Sequence, residues 1–214
     1  MNKFIKLVLL AICFSASASP TSSQIQFYDS VKTVAASPIY DYKNPVFSNK
    51  FGYFNEYSWL VYERHSGNSS DIIVRKTRYS SYDTEIVISG TSNALNINPS
   101  IDRDMIVWQS NVNGSWDLYY SLLTGNSWSA PVLLDAASSD ESVPFIKNNN
   151  LGPEQYNFYY LAYKRDNSIR FKRYKTLTGI WDNDTAVTDG SYNIVSPLIM
   201  AGNFSNQYVI YFLK

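Results

Sequence analysis

The side chains of this chain limit the chemistry open to it. Its single histidine, His65, follows Arg64 within a polar stretch. One imidazole with no cysteine beside it cannot build the usual multi-histidine zinc site, and no G-x-S-x-G elbow presents a serine to it. His65 therefore reads as a surface histidine. Seven arginines, Arg64, Arg75, Arg78, Arg103, Arg165, Arg170 and Arg173, would grip a carboxylate through paired guanidinium bonds if several converged. Arg64 and Arg165 each stand just past an apolar run, where they read first as solvated charges at turns and second as ligand contacts. Asp102 and Asp104 flank Arg103, a turn pattern whose spacing matches no calcium loop. Neither phosphate-cradling glycine motif occurs, so nucleotide chemistry is not expected. No catalytic residue, metal ligand or cofactor is assigned.

Aromatic residues are the one surplus with functional scope, at 16% of the chain. Trp116, Tyr119, Trp128 and Trp181 offer large contact area with a polar handle, suited to a sugar ring or a protein segment. With Arg64 and Arg165 they form the set of candidate ligand contacts. Trp128 and Trp181 follow similar turns, Gly125-Asn126-Ser127 and Thr178-Gly179-Ile180, and a repeated packing role is the stronger expectation for both.

The formal charge is zero, with Lys and Arg scattered through the chain. This leaves no electrostatic footprint for nucleic acid or an anionic membrane. Residues 1–18 carry the marks of an export signal: Lys3 and Lys6, the apolar run Leu7 to Phe14, and small residues at Ala16-Ser17-Ala18. That run is too short to span a bilayer. A lipoprotein reading, with Cys13 acylated, is disfavoured by the bulk of Ile12 before it. The expectation is one domain over 19–214, exported to the periplasm, cell surface or exterior. Cys13 is the only cysteine, so that domain would hold no disulfide or thiolate site. Nothing in the sequence sets an oligomeric state.

The elements that must carry these residues repeat. Pro45, Pro99, Pro144 and Pro197 stand 54, 45 and 53 positions apart. They lead to Trp59-Leu60-Val61-Tyr62, Met105-Ile106-Val107-Trp108, Tyr160-Leu161-Ala162-Tyr163 and Tyr208-Val209-Ile210-Tyr211. Second strands are expected at Asp71 to Val74, Asp117 to Tyr120 and Ser168 to Phe171, and closing strands at Glu85 to Ile88, Pro131 to Leu134 and near Thr185 to Val187. Turn residues separate them, and each proline is expected just before a first strand because it cannot join a ladder interior. Four short strands per unit of this length are the period of a β-propeller blade. An all-β propeller of four-stranded blades is therefore expected, ahead of a β-sandwich. The fourth unit is half present, and a hairpin at Gln24 to Tyr28 and Val31 to Ala35 would complete it, closing a ring of about four blades. The other expectation is a fragment of a larger propeller.

The stretch Ile106-Val107-Trp108-Gln109-Ser110-Asn111-Val112-Asn113-Gly114-Ser115-Trp116-Asp117-Leu118-Tyr119-Tyr120 resembles repeats of TolB-like propellers, and of the sialidase-like group with Asp-box turns. Ser66-Gly67-Asn68-Ser69-Ser70-Asp71-Ile72 keeps the outline; Lys164-Arg165-Asp166-Asn167-Ser168-Ile169 loses the glycine and the aspartate. The resemblance implies a propeller. For activity the leading expectation is a non-catalytic binding or scaffold protein recognising a protein or glycan, and the alternative that the resemblance implies is a sialidase-like carbohydrate-active enzyme. The enzyme would need converging arginines and an acid/base carboxylate, and its usual N-terminal arginine motif is not recognisable here.

Overall fold

The computed structural model describes residues 37, 39–48, 57–78, 81–90, 93–135, 139–149, 158–191, 195–201 and 208–213. The expected export signal and the hairpin expected at Gln24 to Ala35 lie outside them. The described residues are all-β, with no helix, and form four antiparallel sheets, none closed on itself. The first sheet contains β1 (Asp41–Phe47), β2 (Ser58–Ser66), β3 (Ser69–Arg78), β4 (Ser81–Tyr82) and β5 (Ile86–Val87). The second contains β6 (Asn96–Asp102), β7 (Met105–Ser110), β8 (Asp117–Thr124), β9 (Ser127–Trp128) and β10 (Val132–Leu133). The third contains β11 (Glu141–Asn149), β12 (Phe158–Arg165), β13 (Ser168–Lys175), β14 (Ile180–Trp181) and β15 (Thr185–Ala186); β16 (Ser196–Ala201) and β17 (Tyr208–Leu213) make the fourth. The expected closing strand is thus two short pieces, both paired with the third strand of their sheet, as β4 and β5 are with β3.

Tight two-residue turns fix the registers. Gly67-Asn68 joins β2 to β3, and Gly67 supplies the positive φ such turns demand. Asp166 takes a left-handed conformation without glycine at the matching turn of the third sheet, and Arg103 does so at the two-residue turn from β6 to β7.

The runs expected as first strands are the second strands β2, β7 and β12, and the prolines ahead of them lie inside a further strand each, β1, β6 and β11. In β1 the pairs Lys43↔Glu63 and Val46↔Val61 skip Asn44 and Pro45, in β6 Asn98 and Pro99 are skipped, and in β11 Val143 and Pro144. Each is a β-bulge, and a bulged residue has no ladder bond for proline to forfeit. The preceding residue, barred from the right-handed region by the proline ring, adopts positive φ: Asn44 at 48°, Asn98 at 52° and Val143 at 44°. Pro197 differs, pairing with Phe212 in an unshifted register.

The sheets pack face to face in chain order. Trp59, Val61, Ile72, Val74 and Ile88 of the first meet Ile101, Ile106 and Trp108 of the second. Met105, Val107 and Leu118 on the second sheet's other face meet Ile146, Tyr159, Leu161, Tyr163 and Tyr174 of the third. Tyr160, Ala162 and Ile169 then meet Ile199 of the fourth. Strands buried on both faces explain the continuous apolar runs, and each fully buried Val, Ile or Leu contributes about 1.5–3 kcal/mol.

Candidate functional site

The registers bring equivalent positions of the three complete sheets into correspondence. Arg64 stands across from Asp71, Ser110 across from Asp117, and Arg165 across from Ser168. The short strand that pairs with the third strand is preceded by Glu85, Pro131 and Asp184 respectively.

In the first sheet Arg64 binds Asp71 at 2.9 Å and Glu85 at 3.0 Å. Tyr62 donates to Glu85 at 2.7 Å, and the Tyr40 ring lies 4.9 Å from the guanidinium. Burial disfavours the Arg64 charge, but Asp71 and Glu85 outweigh it and hold its pKa above the ordinary value. Burial, with the bond to Glu85, pushes the Tyr62 hydroxyl far up, so it remains a donor.

The third sheet repeats the device with more charge. Arg165 contacts Glu141, Asp184 at 2.9 Å and Asp135 at 3.1 Å. Lys172 joins Asp135 at 3.0 Å, and Arg170 Nε donates to Asp184 at 2.6 Å. Three cations thus meet three carboxylates. Glu141 is wholly buried; desolvation raises its pKa against the opposing pull of Arg165. Asp135 is held low by Lys172 and Arg165, which overcome its partial desolvation.

The expectation that Arg64 and Arg165 are solvated turn charges is corrected here. Their side chains are only 18% and 16% exposed and are consumed in ion pairs, because each is aimed along its sheet face at carboxylates from neighbouring strands. His65 is likewise half-buried, 2.7 Å from buried Glu63. Asp102 is a buried strand end that holds Lys147 at 2.9 Å and the Asn148 N–H at 2.9 Å. Among the described residues no group of three or more His, Cys, Asp or Glu is placed to hold a metal ion.

The second sheet departs from its neighbours. Where they carry an arginine and a carboxylate, it carries Ser110 and Pro131, and both line a cavity of about 190 Å³ with Ser89, Gly90, Asn96, Trp108, Val112 and Tyr119. Trp108 and Tyr119 stack there with centroids 6.2 Å apart. Asn113 donates to the Tyr119 oxygen at 2.8 Å and to Asp117 at 3.3 Å. Asp117, 4% exposed, has no ion pair among the described residues. Burial, with Asp117 nearby, raises the Tyr119 pKa against the bond from Asn113 and keeps the hydroxyl neutral. Ser110 Oγ accepts the Val112 N–H at 3.3 Å, which leaves its own proton to donate, as does the Tyr119 hydroxyl. The cavity therefore offers an aromatic wall and two hydroxyl donors. It holds about six water volumes, room for one small group and not for a whole drug-sized ligand.

Of the six candidate contacts, Tyr119 alone lines this cavity. Trp128 packs edge-on against Trp59 at 5.4 Å. Trp181 packs on Tyr120 at 5.7 Å and Tyr174 at 5.2 Å, so both tryptophans join successive sheets. The Trp116 backbone donates to Asp140 at 3.0 Å and accepts from the Glu141 N–H at 2.7 Å. Sequence reasoning missed Trp108, Ser110 and Asn113. The signal was present as the joint loss of the arginine and its carboxylate from one repeat.

No family model matches the chain, and no curated protein matches it. Among solved structures it is similar to a puromycin-hydrolysing peptidase of Mycobacterium tuberculosis at 17% identity and a TM-score of 0.45. That similarity covers 70% of this chain and 23% of the peptidase.

Proposed function

We propose that this chain is an exported, non-catalytic binding protein of β-propeller type, its sheets serving as blades, and that it recognises a glycan through one sugar ring seated against Tyr119, whose ring is backed by buried Trp108. The observation that carries the reading is the cavity at the one of the three complete sheets that lacks the internal arginine–carboxylate pair among the described residues. A sugar ring has an apolar face to lie on an aromatic wall and oxygens to accept from Ser110 and Tyr119. Export is supported by the composition of residues 1–18. The sialidase-like reading is weaker, since Arg64 and Arg165 are spent on Asp71, Glu85, Asp135, Glu141 and Asp184 in separate sheets.

The test is an NMR titration of the protein with simple neutral mono- and oligosaccharides. Shifts confined to the Trp108 indole, Val112 and Tyr119 are expected. An absence of such shifts across the panel would sink the glycan reading, and release of a reporter alcohol from an aryl glycoside would favour the enzyme.

A further inference from the structure

The second and third sheets each cover the outer part of the sheet before them. Tyr119, Leu123 and Trp128, from β8 and β9, pack on the cluster holding Val74 and Ile88. Tyr174 and Trp181, from β13 and β14, pack on the cluster holding Tyr120 and Leu134. The pairings Val74↔Ile86, Tyr120↔Val132 and Phe171↔Thr185 make Phe171 the third-sheet counterpart of Val74 and Tyr120. Val187 is likewise the counterpart of Ile88, since each sends its N–H to the equivalent carbonyl, of Ile169 and of Ile72.

Phe171 and Val187 instead line an open cleft of about 590 Å³, with Lys172, Arg173, Asp182, Asn183 and Thr185 as its other third-sheet lining and Val209 and Ile210 of β17 opposite. Ile88 is 4% exposed; Val187 is 41% exposed. Among the described residues the fourth sheet is β16 and β17 alone, so the outer edge of β17 has no ladder partner there. The cleft has the position and lining of a missing third strand.

We propose that residues 24–35 of this chain fill it, adding a strand to the β17 edge. Gln24-Ile25-Gln26-Phe27 alternates polar and apolar residues, as a half-buried strand requires. Ile25 and Phe27 would cover Phe171 and Val187 while the backbone satisfies β17. The proposal is independent of any ligand at Tyr119.

Hydrogen exchange of the full chain tests it. In the unaltered protein the β17 amides should be protected. Phe27→Asp should speed their exchange at least tenfold, and so should Val187→Lys on the cleft wall, while the β7 and β8 amides stay protected as a control for folding. A synthetic peptide of residues 24–35 should restore protection to the Phe27→Asp protein. The proposal is overturned if β17 protection is unchanged in Phe27→Asp. It is equally overturned if protection rises with protein concentration alongside a dimeric mass, which would make a second copy the donor of the strand.

Discussion

The Glu63 carboxylate of the first sheet accepts the backbone N–H of Asn98 in the second, at 2.7 Å. The same oxygen accepts the Asn44 side-chain amide at 2.6 Å. One repeat later Gln109 does both, taking the Val143 N–H and the Asn98 amide, each at 2.9 Å. The bulge made by each Asn-Pro or Val-Pro pair turns an N–H out of the ladder, and the preceding sheet supplies its acceptor. Successive sheets are thus joined by a polar bond at the bulge as well as by apolar packing. Glu63→Ala should destabilise the protein by about 2–3 kcal/mol, since it orphans a backbone donor and an amide. Glu63→Gln, which mimics the next joint, should cost under about 1 kcal/mol. Urea midpoints compare the two, and equal losses would refute an acceptor role.

Val143 is the exception within this pattern. It is β-branched at a φ of 44°, a conformation costly for such a side chain and tolerable for asparagine. Its partner position holds Lys164, which has no acceptor to offer an amide. Val143→Asn should therefore stabilise by about 1 kcal/mol through relief of strain. Adding Lys164→Gln should raise the gain further, because it supplies the acceptor that Gln109 provides for Asn98. A thermal-denaturation cycle over the two single variants and the double variant measures this coupling, and strict additivity would count against it.

Much of this organisation was legible in the sequence. The spacing of Pro45, Pro99 and Pro144 gave the sheet period, and the apolar runs gave the strands buried on both faces. Turn chemistry located the hairpins. Placing the prolines ahead of the strands went astray because a proline inside a ladder is costly unless a bulge releases the N–H, and a bulge appears only in the register. The Arg165 cluster was not legible either, since Asp135, Glu141 and Asp184 come from three separate segments that only sheet packing unites.

Burial should separate the two arginine clusters energetically. Arg165→Met strands Glu141, which is wholly buried, and should cost about 3–5 kcal/mol. Arg64→Met leaves Asp71 and Glu85, which are 27% and 28% exposed, and should cost about 1 kcal/mol.

The Arg165 deficit should also depend on pH. A carboxyl whose folded pKa is raised, as that of Glu141 is by burial, contributes stability that is full below its unfolded pKa and is lost as pH rises through the folded value. Removing Arg165 removes a pull that lowers that pKa, so it climbs further. The variant's deficit should then be larger at about pH 7 than at about pH 4.5, near the unfolded value for glutamate. Asp135 works in the opposite sense: its folded pKa is lowered, so its contribution is present above the unfolded value and lost as pH falls. Denaturant midpoints at the two pH values decide the matter, and a deficit that does not vary with pH would rule out Glu141 as the stranded charge.

Ser110→Arg with Pro131→Glu would restore to the second sheet the ion pair its neighbours keep. The guanidinium would reach from position 110 toward Asp117, as Arg64 reaches Asp71 at 2.9 Å, and toward the new carboxylate at 131, as it reaches Glu85. Both substitutions fall on residues that line the cavity, so the side chains would fill the space assigned to the sugar ring. The double variant should fold with unchanged or higher stability, because Asp117 gains a charged partner that it lacks among the described residues. Sugar-induced shifts at Trp108, Val112 and Tyr119 should disappear. Ser110→Ala removes one hydroxyl donor without filling the space, and it should weaken binding by about tenfold, the worth of one hydrogen bond of ~1.4 kcal/mol. If the double variant is stable and still binds as the unaltered protein does, the ligand sits elsewhere and the lost ion pair marks no site.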